Sequence, residues 1–468
     1  MKHTKIVVTL SDKRCQLSFL NKLYKAGMNV IRINTAHQST EGAVKIIENA
    51  RKVSEKIAIM IDTKGPEIRT TRVEEEVLVK KGEKIKVTGD ANKITCAECI
   101  YVSYEDFEKH VAVGKRILIN DGDVELKVIK VFKTHLLCEV KNSGLVGGRK
   151  GINVPGVSFK LPTLNQRDKK YLQFAIKHDV DFIAHSFVRN KEDVLKIKRI
   201  LQKNNGKIKI ISKIENKEGV DNIDEIIHNS YGIMVARGDL GLELSAEKIP
   251  AVQKMIIKKC ITQKKPVIVA TQMLHSMIQN PRPTRAEVND VAGAVYDQTD
   301  AVMLSGETAY GKYPVESVRT MARIAEETEK SFEKTNDNIA KIDNEISVFL
   351  ADCAVKACDQ LPVKAIVTDT MTGKTALYLA AFRGKIPVYA QCYNKTVMRQ
   401  LALSYSIKAN YLKLEQSTDK FEKNTAKLFL KKKYLKENDL ILILAGNFGV
   451  NHGASFIEIS KIKNMLKR

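Results

Sequence analysis

Short runs of β-branched and aliphatic residues recur along the chain, each followed by a polar loop and then a stretch of helical spacing. Eight such runs are Lys5–Leu10, Asn29–Asn34, Ile57–Asp62, Asp181–Phe187, Lys207–Glu215, Gly232–Arg237, Pro266–Thr271 and Ala301–Gly306. Between them lie apolar helical stretches, as from Gln16 to Gly27, Ile249 to Gln263 and Pro314 to Glu327. Thr284-Arg285-Ala286-Glu287 reads as a capping box that opens another helix. Strand then helix, eight times over, predicts a (β/α)8 barrel around a parallel sheet.

The chain between the third and fourth runs is far too long for a simple βα loop. From Glu74 to Gly156 the pattern switches to short alternating runs broken by turns: Val77–Val79, Lys84–Val87, Arg116–Ile119 before Asn120-Asp121-Gly122-Asp123, Val124–Val131 and Leu136–Val140. That is an all-β insertion, expected to hang over the C-terminal mouth of the barrel as a lid. After a polar stretch from Asn336 to Asn344, a further α/β unit begins, with strands at Ala365–Thr368, Val388–Ala390 and Leu440–Leu444. These patterns assign 1–65 and 160–335 to the barrel, 66–159 to an inserted β-barrel lid and 345–468 to a C-terminal α/β regulatory domain.

Composition narrows the class. No apolar run approaches the roughly 18 residues a membrane helix needs. The start of the chain lacks the apolar core and small-residue cleavage site of a signal peptide, so a cytoplasmic protein is expected. A formal charge of +24 invites nucleic acid or anionic substrates, but the lysines are scattered, and the run Lys431-Lys432-Lys433 ends a helical stretch where cations suit the carbonyl end. Small anionic substrates are therefore favoured over nucleic acid. The eight cysteines show no disulfide-scaffold spacing, and Cys96 and Cys99 form a CxxC with no second pair at zinc-site spacing, so all are read as plain thiols.

Barrel enzymes place their chemistry at the C-terminal strand ends. Those ends carry Arg32 and Asn34, Asp62-Thr63-Lys64-Gly65, Ser186, Lys213 and Glu215, Arg237-Gly238-Asp239, Thr271-Gln272, and Ser305-Gly306-Glu307-Thr308. Glu215 and Asp239 end neighbouring strands and offer one hard cation an oxygen set left incomplete for phosphate and water, as Mg²⁺ prefers. Lys213 lies two residues before Glu215, on the same strand face. Arg32 adds a second fixed charge, and the amides of Gly238 and Asp239 can donate to a carboxylate. Any one lysine-carboxylate pair has a plain alternative as a structural salt bridge. Together they make an anion-binding bowl with a metal, the equipment of phosphoryl transfer. In the C-terminal unit, Thr370-Met371-Thr372-Gly373-Lys374-Thr375 presents hydroxyls, amides and a lysine to a helix start, which is either a phosphate cradle or a cap without ligand. It is not a Walker loop, since Thr368 stands where that motif needs glycine.

Six stretches carry a resemblance to pyruvate kinases over nearly the whole chain: Asp62–Arg69, Ile211–Asn216, Ile233–Gly241, Ala270–Leu274, Asn280–Glu287 and Met303–Thr308. The barrel, β lid and C-terminal α/β domain agree with that family's plan, and the chain resembles the bacterial type without an extra C-terminal domain. The resemblance implies transfer of the phosphoryl group of phosphoenolpyruvate to ADP, giving pyruvate and ATP in glycolysis. It implies Mg²⁺ (or Mn²⁺) on Glu215 and Asp239, with Lys213 and Arg32 on the phosphoryl group and Lys213 also on the enolate. Phosphoenolpyruvate would contact Arg32, Lys213, Gly238, Asp239 and Thr271. Thr271, with Ser305 and an ordered water, would belong to the route that protonates the enolate carbon; its plain alternative is a strand-end threonine capping a helix. His37, Arg69 and Lys150 resemble nucleotide-side groups. The resemblance further implies a homotetramer and a sugar-phosphate or nucleotide effector on Thr370, Thr372, Gly373, Lys374 and Thr375.

Two departures stand out. In the family K⁺ is held by an asparagine, a serine, an aspartate and a threonine carbonyl, which fall here on Asn34, Ala36, Asp62 and Thr63, and Ala36 offers no side-chain oxygen. Glu67 keeps the acidic choice that accompanies K⁺ dependence. Tyr231 replaces an acidic residue, but at the start of the sixth strand, away from the chemistry. Ala36 motivates a second reading, a catalytically weak relative with a binding or regulatory role. A phosphoenolpyruvate-using barrel enzyme of another reaction type is the third.

Overall fold

The structure, a computed structural model, describes residues 2–204, 206–331, 340–341, 345–414, 417–446 and 453–467. Eight parallel strands close into a barrel: β1 (Lys5–Leu10), β2 (Val30–Asn34), β3 (Ala58–Asp62), β4 (Phe182–His185), β5 (Lys209–Ile214), β6 (Gly232–Ala236), β7 (Val267–Ala270) and β8 (Ala301–Leu304), with β8 pairing back onto β1. Each lies within the run the sequence pattern marks for it. Both faces of these strands are apolar, as a covered parallel sheet requires. Val7, Val30, Met60, Ala184, Ile211, Met234 and Met303 fill the interior. Ile6, Val8, Ile31, Ile33, Ile59 and Ile61 pack outward in the large cluster shared with the helices. The capping box forms at Thr284 and Glu287, opening helix Arg285–Tyr296.

Between β3 and β4 the insertion builds a seven-stranded sheet with its own apolar core, including Phe107, Ile117, Leu126 and Val140. Its two edge strands, Ile68–Arg69 and Cys99–Val102, meet through a bridge between Thr70 and Val102, with Thr71 N–H donating to the Tyr101 carbonyl (2.9 Å) and Ser103 N–H to that of Arg69 (2.9 Å). The expected turn at Asn120-Asp121-Gly122 has all three residues at positive φ. Four strands escape the alternation pattern: Ile68–Arg69, Gly144–Val146 and Gly151–Asn153, which have three residues or fewer, and Cys99–Val102.

The C-terminal sheet has five strands, β9 (Val363–Thr370), β10 (Val388–Cys392), β11 (Ile407–Tyr411), β12 (Leu440–Ala445) and β13 (Phe456–Lys461), in the order β11-β10-β9-β12-β13, with only β13 antiparallel. β11 and β13 are additions to the sequence reading. The first carries Lys408 and Asn410 and the second Glu458 and Lys461, so neither shows an apolar run. The sheet unit docks on the barrel floor. Arg399 reaches Asp181 at the start of β4 (2.6 Å), Arg383 reaches Asp300 at the start of β8 (2.6 and 3.0 Å), and Lys5 Nζ donates to the Ile407 carbonyl (2.6 Å). Tyr231 is half-buried in this floor, its ring near Phe182 and its hydroxyl toward the Gln400 carbonyl, far from the strand ends. The polar stretch Asn336–Asn344 lies outside the described residues apart from 340 and 341, as does 332–335.

Candidate active site

The site follows from the same two-residue alternation that fills the barrel. Two positions beyond the interior residues Val7, Val30, Met60, Ala184, Ile211 and Met303 come Thr9, Arg32, Asp62, Ser186, Lys213 and Ser305, so the last inward layer of the barrel is polar on six strands, β6 and β7 carrying Ala236 and Ala270 there. At its centre Asp62 accepts from Arg32 Nε (2.5 Å) on one oxygen and from Lys213 Nζ (3.1 Å) on the other. Lys213 Nζ also meets Glu215 Oε1 (2.9 Å) and donates to Ser186 Oγ (2.8 Å), while the Ser186 hydroxyl donates to the Thr63 carbonyl (2.6 Å). Arg32 is completed by Thr9 Oγ1 (3.0 Å), and Glu215 Oε2 accepts the Phe187 N–H (2.7 Å). Gly65 lets the turn after β3 approach this centre: its φ is 73°, and a Cβ there would stand 2.9 Å from that of Ser186.

Burial disfavours the charged form of Lys213, but the charges of Asp62 and Glu215 outweigh it and keep the ammonium firmly protonated. Burial likewise opposes the charge of Asp62, and Arg32 and Lys213 overcome it, holding that carboxyl below its usual range. Glu215 and Asp239 go the other way. Burial pushes both up, Lys213 pulls both back, and the charge of Asp239 adds to the rise at Glu215, as those of Asp121 and Glu67 do at Asp239. Two fixed cations, Arg32 and Lys213, therefore face three carboxylates, the buried Asp62 and Glu215 and the half-buried Asp239. A hard divalent cation fits the two that remain under-neutralised. Among the described residues no group of three His, Cys, Asp or Glu side chains offers a complete protein cage, so such a cation would draw its other ligands from substrate and water.

Above this layer opens a cavity of about 1040 Å³, lined from the barrel by Asn34, His37, Asp239 and Glu243 and from the insertion by Glu67, Arg69, Asp121 and Lys150. His37, Arg69 and Lys150 thus share one chamber with Asp239, but Arg69 is engaged: its Nε donates to Glu67 (2.6 Å) and one terminal nitrogen to the Arg149 carbonyl (2.6 Å). Asn34 pairs in register with Asp62, and its side-chain oxygen accepts the Ala36 N–H (3.1 Å). Of the oxygens read as K⁺ ligands, on Asn34, Asp62 and Thr63, Asp62 Oδ1 and the Thr63 carbonyl meet the same Ser186 hydroxyl (3.2 and 2.6 Å). Each already accepts a protein donor, and Ala36 leaves the fourth position without one.

Thr271 sits beside the Gly238-Asp239 turn in a left-handed conformation and caps no helix. At the end of β8 the Ser305 N–H donates to Glu307 (2.7 Å), whose other oxygen accepts from Leu274 (3.2 Å), tying that loop to the one after β7. Arg237, counted among the strand-end cations, instead binds Asp290 and the end of β7. Sequence reasoning gave no role to Ser186 or Thr9; the signal was present, since both fall on the inward phase of their strands. In the C-terminal sheet, Gly373 (φ 88°) caps helix Lys374–Ala381, the Thr370 hydroxyl accepts the Gly373 N–H (2.8 Å), and Lys374 is paired with Glu345 (2.8 Å). Cys96 and Cys99 face each other across a tight backbone-bridged turn, one exposed and one buried.

A (β/α)8 barrel whose strand ends bring a lysine and an arginine against an incomplete carboxylate set, under a β insertion, defines a phosphotransferase. Two family models match the chain, the pyruvate kinase barrel domain over residues 1–318 and the pyruvate kinase alpha/beta domain over 349–460. A pyruvate kinase of Borreliella burgdorferi is 44% identical, with all of this chain and 98% of that protein covered, and one of Geobacillus stearothermophilus is 41% identical over 99% of this chain and 81% of its own length. The crystal structure of a pyruvate kinase from Cryptosporidium parvum superposes with a TM-score of 0.93 at 35% identity, covering 98% of this chain and 96% of that one. The chain belongs to the pyruvate kinase family, and its function is that of a pyruvate kinase.

Proposed function

We propose that the barrel mouth moves the phosphoryl group of phosphoenolpyruvate to the terminal phosphate of ADP, through the residues assembled around Lys213. The observation that carries this is the Lys213 ammonium, held between Asp62, Ser186 and Glu215 and within reach of the charge of Asp239, which lines a cavity shared by barrel and insertion. Arg32, locked by Asp62 and Thr9, presents the rest of its guanidinium to the phosphoryl oxygens, and Lys213 offsets charge on the moving group and on the enolate left behind. The bond from phosphorus to the enol oxygen breaks as one to the ADP oxygen forms. The enolate carbon then takes a proton by way of Thr271, Ser305 and water, since a threonine hydroxyl is too weak an acid alone. The amides of Gly238 and Asp239 orient the substrate carboxylate. His37, Arg69 and Lys150 take the nucleotide, with Arg69 leaving Glu67 to do so. The insertion excludes water as a lid.

Glu215 and Asp239 would hold a divalent cation such as Mg²⁺ or Mn²⁺, which would supply positive charge to offset that of the phosphates. K⁺ on Asn34, Asp62 and Thr63 is weakened by Ala36. The division into barrel (1–65 and 160–335), lid (66–159) and C-terminal regulatory domain (345–468) belongs to this reading, as do a homotetramer and a cytoplasmic location. The Thr370–Thr375 turn binds the phosphate of a sugar-phosphate or nucleotide effector once Lys374 is released from Glu345. A panel of such effectors that leaves the phosphoenolpyruvate saturation curve unmoved removes that role. For the reaction itself, pyruvate formation from phosphoenolpyruvate and ADP with Mg²⁺ and K⁺ present is the test, and no pyruvate above background refutes the proposal.

A further inference from the structure

Two consecutive residues after β7, Thr271 (φ 76°) and Gln272 (φ 55°), lie in the left-handed region. A β-branched side chain avoids that region, and such backbone persists only where neighbours over-determine it. Arg237, the residue following β6, is placed to do this. Its Nε donates to the Ala270 carbonyl (3.3 Å), and one terminal nitrogen donates to the Thr271 carbonyl (2.7 Å) and touches Met273 Sδ (2.9 Å). The guanidinium is itself held by a fork: its two terminal nitrogens meet the two oxygens of Asp290 at 2.5 and 2.7 Å. Asp290 sits on the helix that the Thr284 capping box opens. The next residue, Gly238, finishes the seat. A Cβ there would stand 2.8 Å from Thr271 Cγ2 and 3.8 Å from its Oγ1, so the threonine packs on bare backbone with its hydroxyl beside the Gly238-Asp239 turn.

We propose that Arg237 and Asp290 are a positioning pair for the proton-transfer step: they clamp the Thr271 carbonyl, impose the left-handed turn and thereby hold the Thr271 hydroxyl against the substrate pocket. The inference rests on the reading of Thr271 given above. A planar fork bound on both sides is required, because an ammonium in its place can neutralise Asp290 but cannot reach the Ala270 and Thr271 carbonyls together.

The step can be read separately from phosphoryl transfer. By microscopic reversibility, the groups that protonate the enolate carbon also remove a methyl proton from pyruvate, so exchange of pyruvate methyl protons in D₂O, followed by NMR with Mg²⁺, K⁺ and ATP present, reports it. Asp290→Asn and Arg237→Lys are each expected to slow this exchange about ten- to a hundredfold, the scale of a misplaced catalytic group. The KM for phosphoenolpyruvate should change little, and the Asp290→Asn protein, which keeps its shape, should unfold near the wild-type urea midpoint. In a Thr271→Val background the same substitutions should cost nothing further, because the pair acts through that hydroxyl. Equal slowing in both backgrounds overturns the proposal, since a merely structural role is additive. Wild-type exchange in Asp290→Asn and Arg237→Lys beside a slow Thr271→Val also overturns it while leaving the reading of Thr271 standing. Wild-type exchange in Thr271→Val overturns both.

Discussion

Lys213 carries the site's electrostatics, and replacing it with methionine isolates that burden. The substitution keeps the length and most of the volume of the side chain while removing one positive charge and its contacts with Asp62 (3.1 Å), Glu215 (2.9 Å) and Ser186 (2.8 Å). Arg32 then faces Asp62, Glu215 and Asp239 as the remaining cation of the cluster. Loss of a single preorganised neutral donor aimed at developing charge costs about 10²–10³ in turnover, or roughly 3–4 kcal/mol. A buried ammonium held by three partners belongs at or beyond the top of that range, so turnover should fall at least about 10³-fold. The KM for phosphoenolpyruvate should change far less, because the charge is needed most where the enolate forms. Unpairing buried carboxylates also destabilises, by about 3–5 kcal/mol for a broken buried pair, so urea unfolding must show the protein folded under assay conditions. Lys213→Gln, which retains a donor, provides a second measurement. The assay is pyruvate formation at saturating phosphoenolpyruvate, ADP, Mg²⁺ and K⁺. Turnover within about tenfold of wild type, in folded protein, refutes the role of Lys213 in offsetting transition-state charge.

Glu215→Gln and Asp239→Asn each remove an anionic ligand while keeping shape, so the Mg²⁺ concentration for half-maximal rate should rise steeply; an unchanged titration removes that residue from the metal site. Because burial raises the carboxyls of Glu215 and Asp239, the folded protein without divalent cation holds their protons more tightly than the unfolded chain does. These two groups therefore cost stability as pH rises from the ordinary carboxylate range through the raised one, and Mg²⁺ should increase the unfolding midpoint more at pH 8 than at pH 6; an increase independent of pH contradicts this linkage. Ala36→Ser restores an oxygen to the K⁺ set and should lower the half-maximal K⁺ concentration a few-fold to tenfold, about 1 kcal/mol, with little change in maximal rate, and an unmoved K⁺ curve shows that another group already fills the position. Arg383→Met leaves Asp300 buried without its main cation and should cost about 3–5 kcal/mol in urea unfolding, whereas adding Asp300→Asn, which removes the charge but keeps an acceptor for the backbone N–H groups of Val267 and Tyr405, should recover part of the loss.

The barrel was legible because one rule does two jobs. Alternation along a buried strand marks Val30, Met60 and Ile211 as interior, and the same phase carried two residues further delivers Arg32, Asp62 and Lys213 to the mouth. Strands whose function required polar or very short stretches were harder. Gly144–Val146 and Gly151–Asn153 are too brief to show a period, and β11 and β13 alternate with charge because they flank the sheet. Pairing was the other hidden quantity, since a cation's type and position do not say which carboxylate takes it. Arg69 and Lys374 read as free charges for phosphate, yet Glu67 and Glu345 hold them, the first a neighbour two residues away and the second a partner that only the folded chain brings near.

Arg237 shows the limit most sharply. It stands between a strand and two residues of the site, in a stretch that reads entirely as chemistry, and its side chain serves the backbone of the neighbouring strand. Position along β6 predicts that it reaches the barrel mouth, which is correct. What it does there depends on Asp290, a residue on a helix whose capping box was legible but whose facing side was not. Residues of a βα-barrel site thus divide by direction: inward phase on a strand marks groups that can meet substrate, whereas a charged residue at the first turn beyond the strand has two strands and a helix within reach, and its role follows from whichever of them offers the better hydrogen-bond geometry.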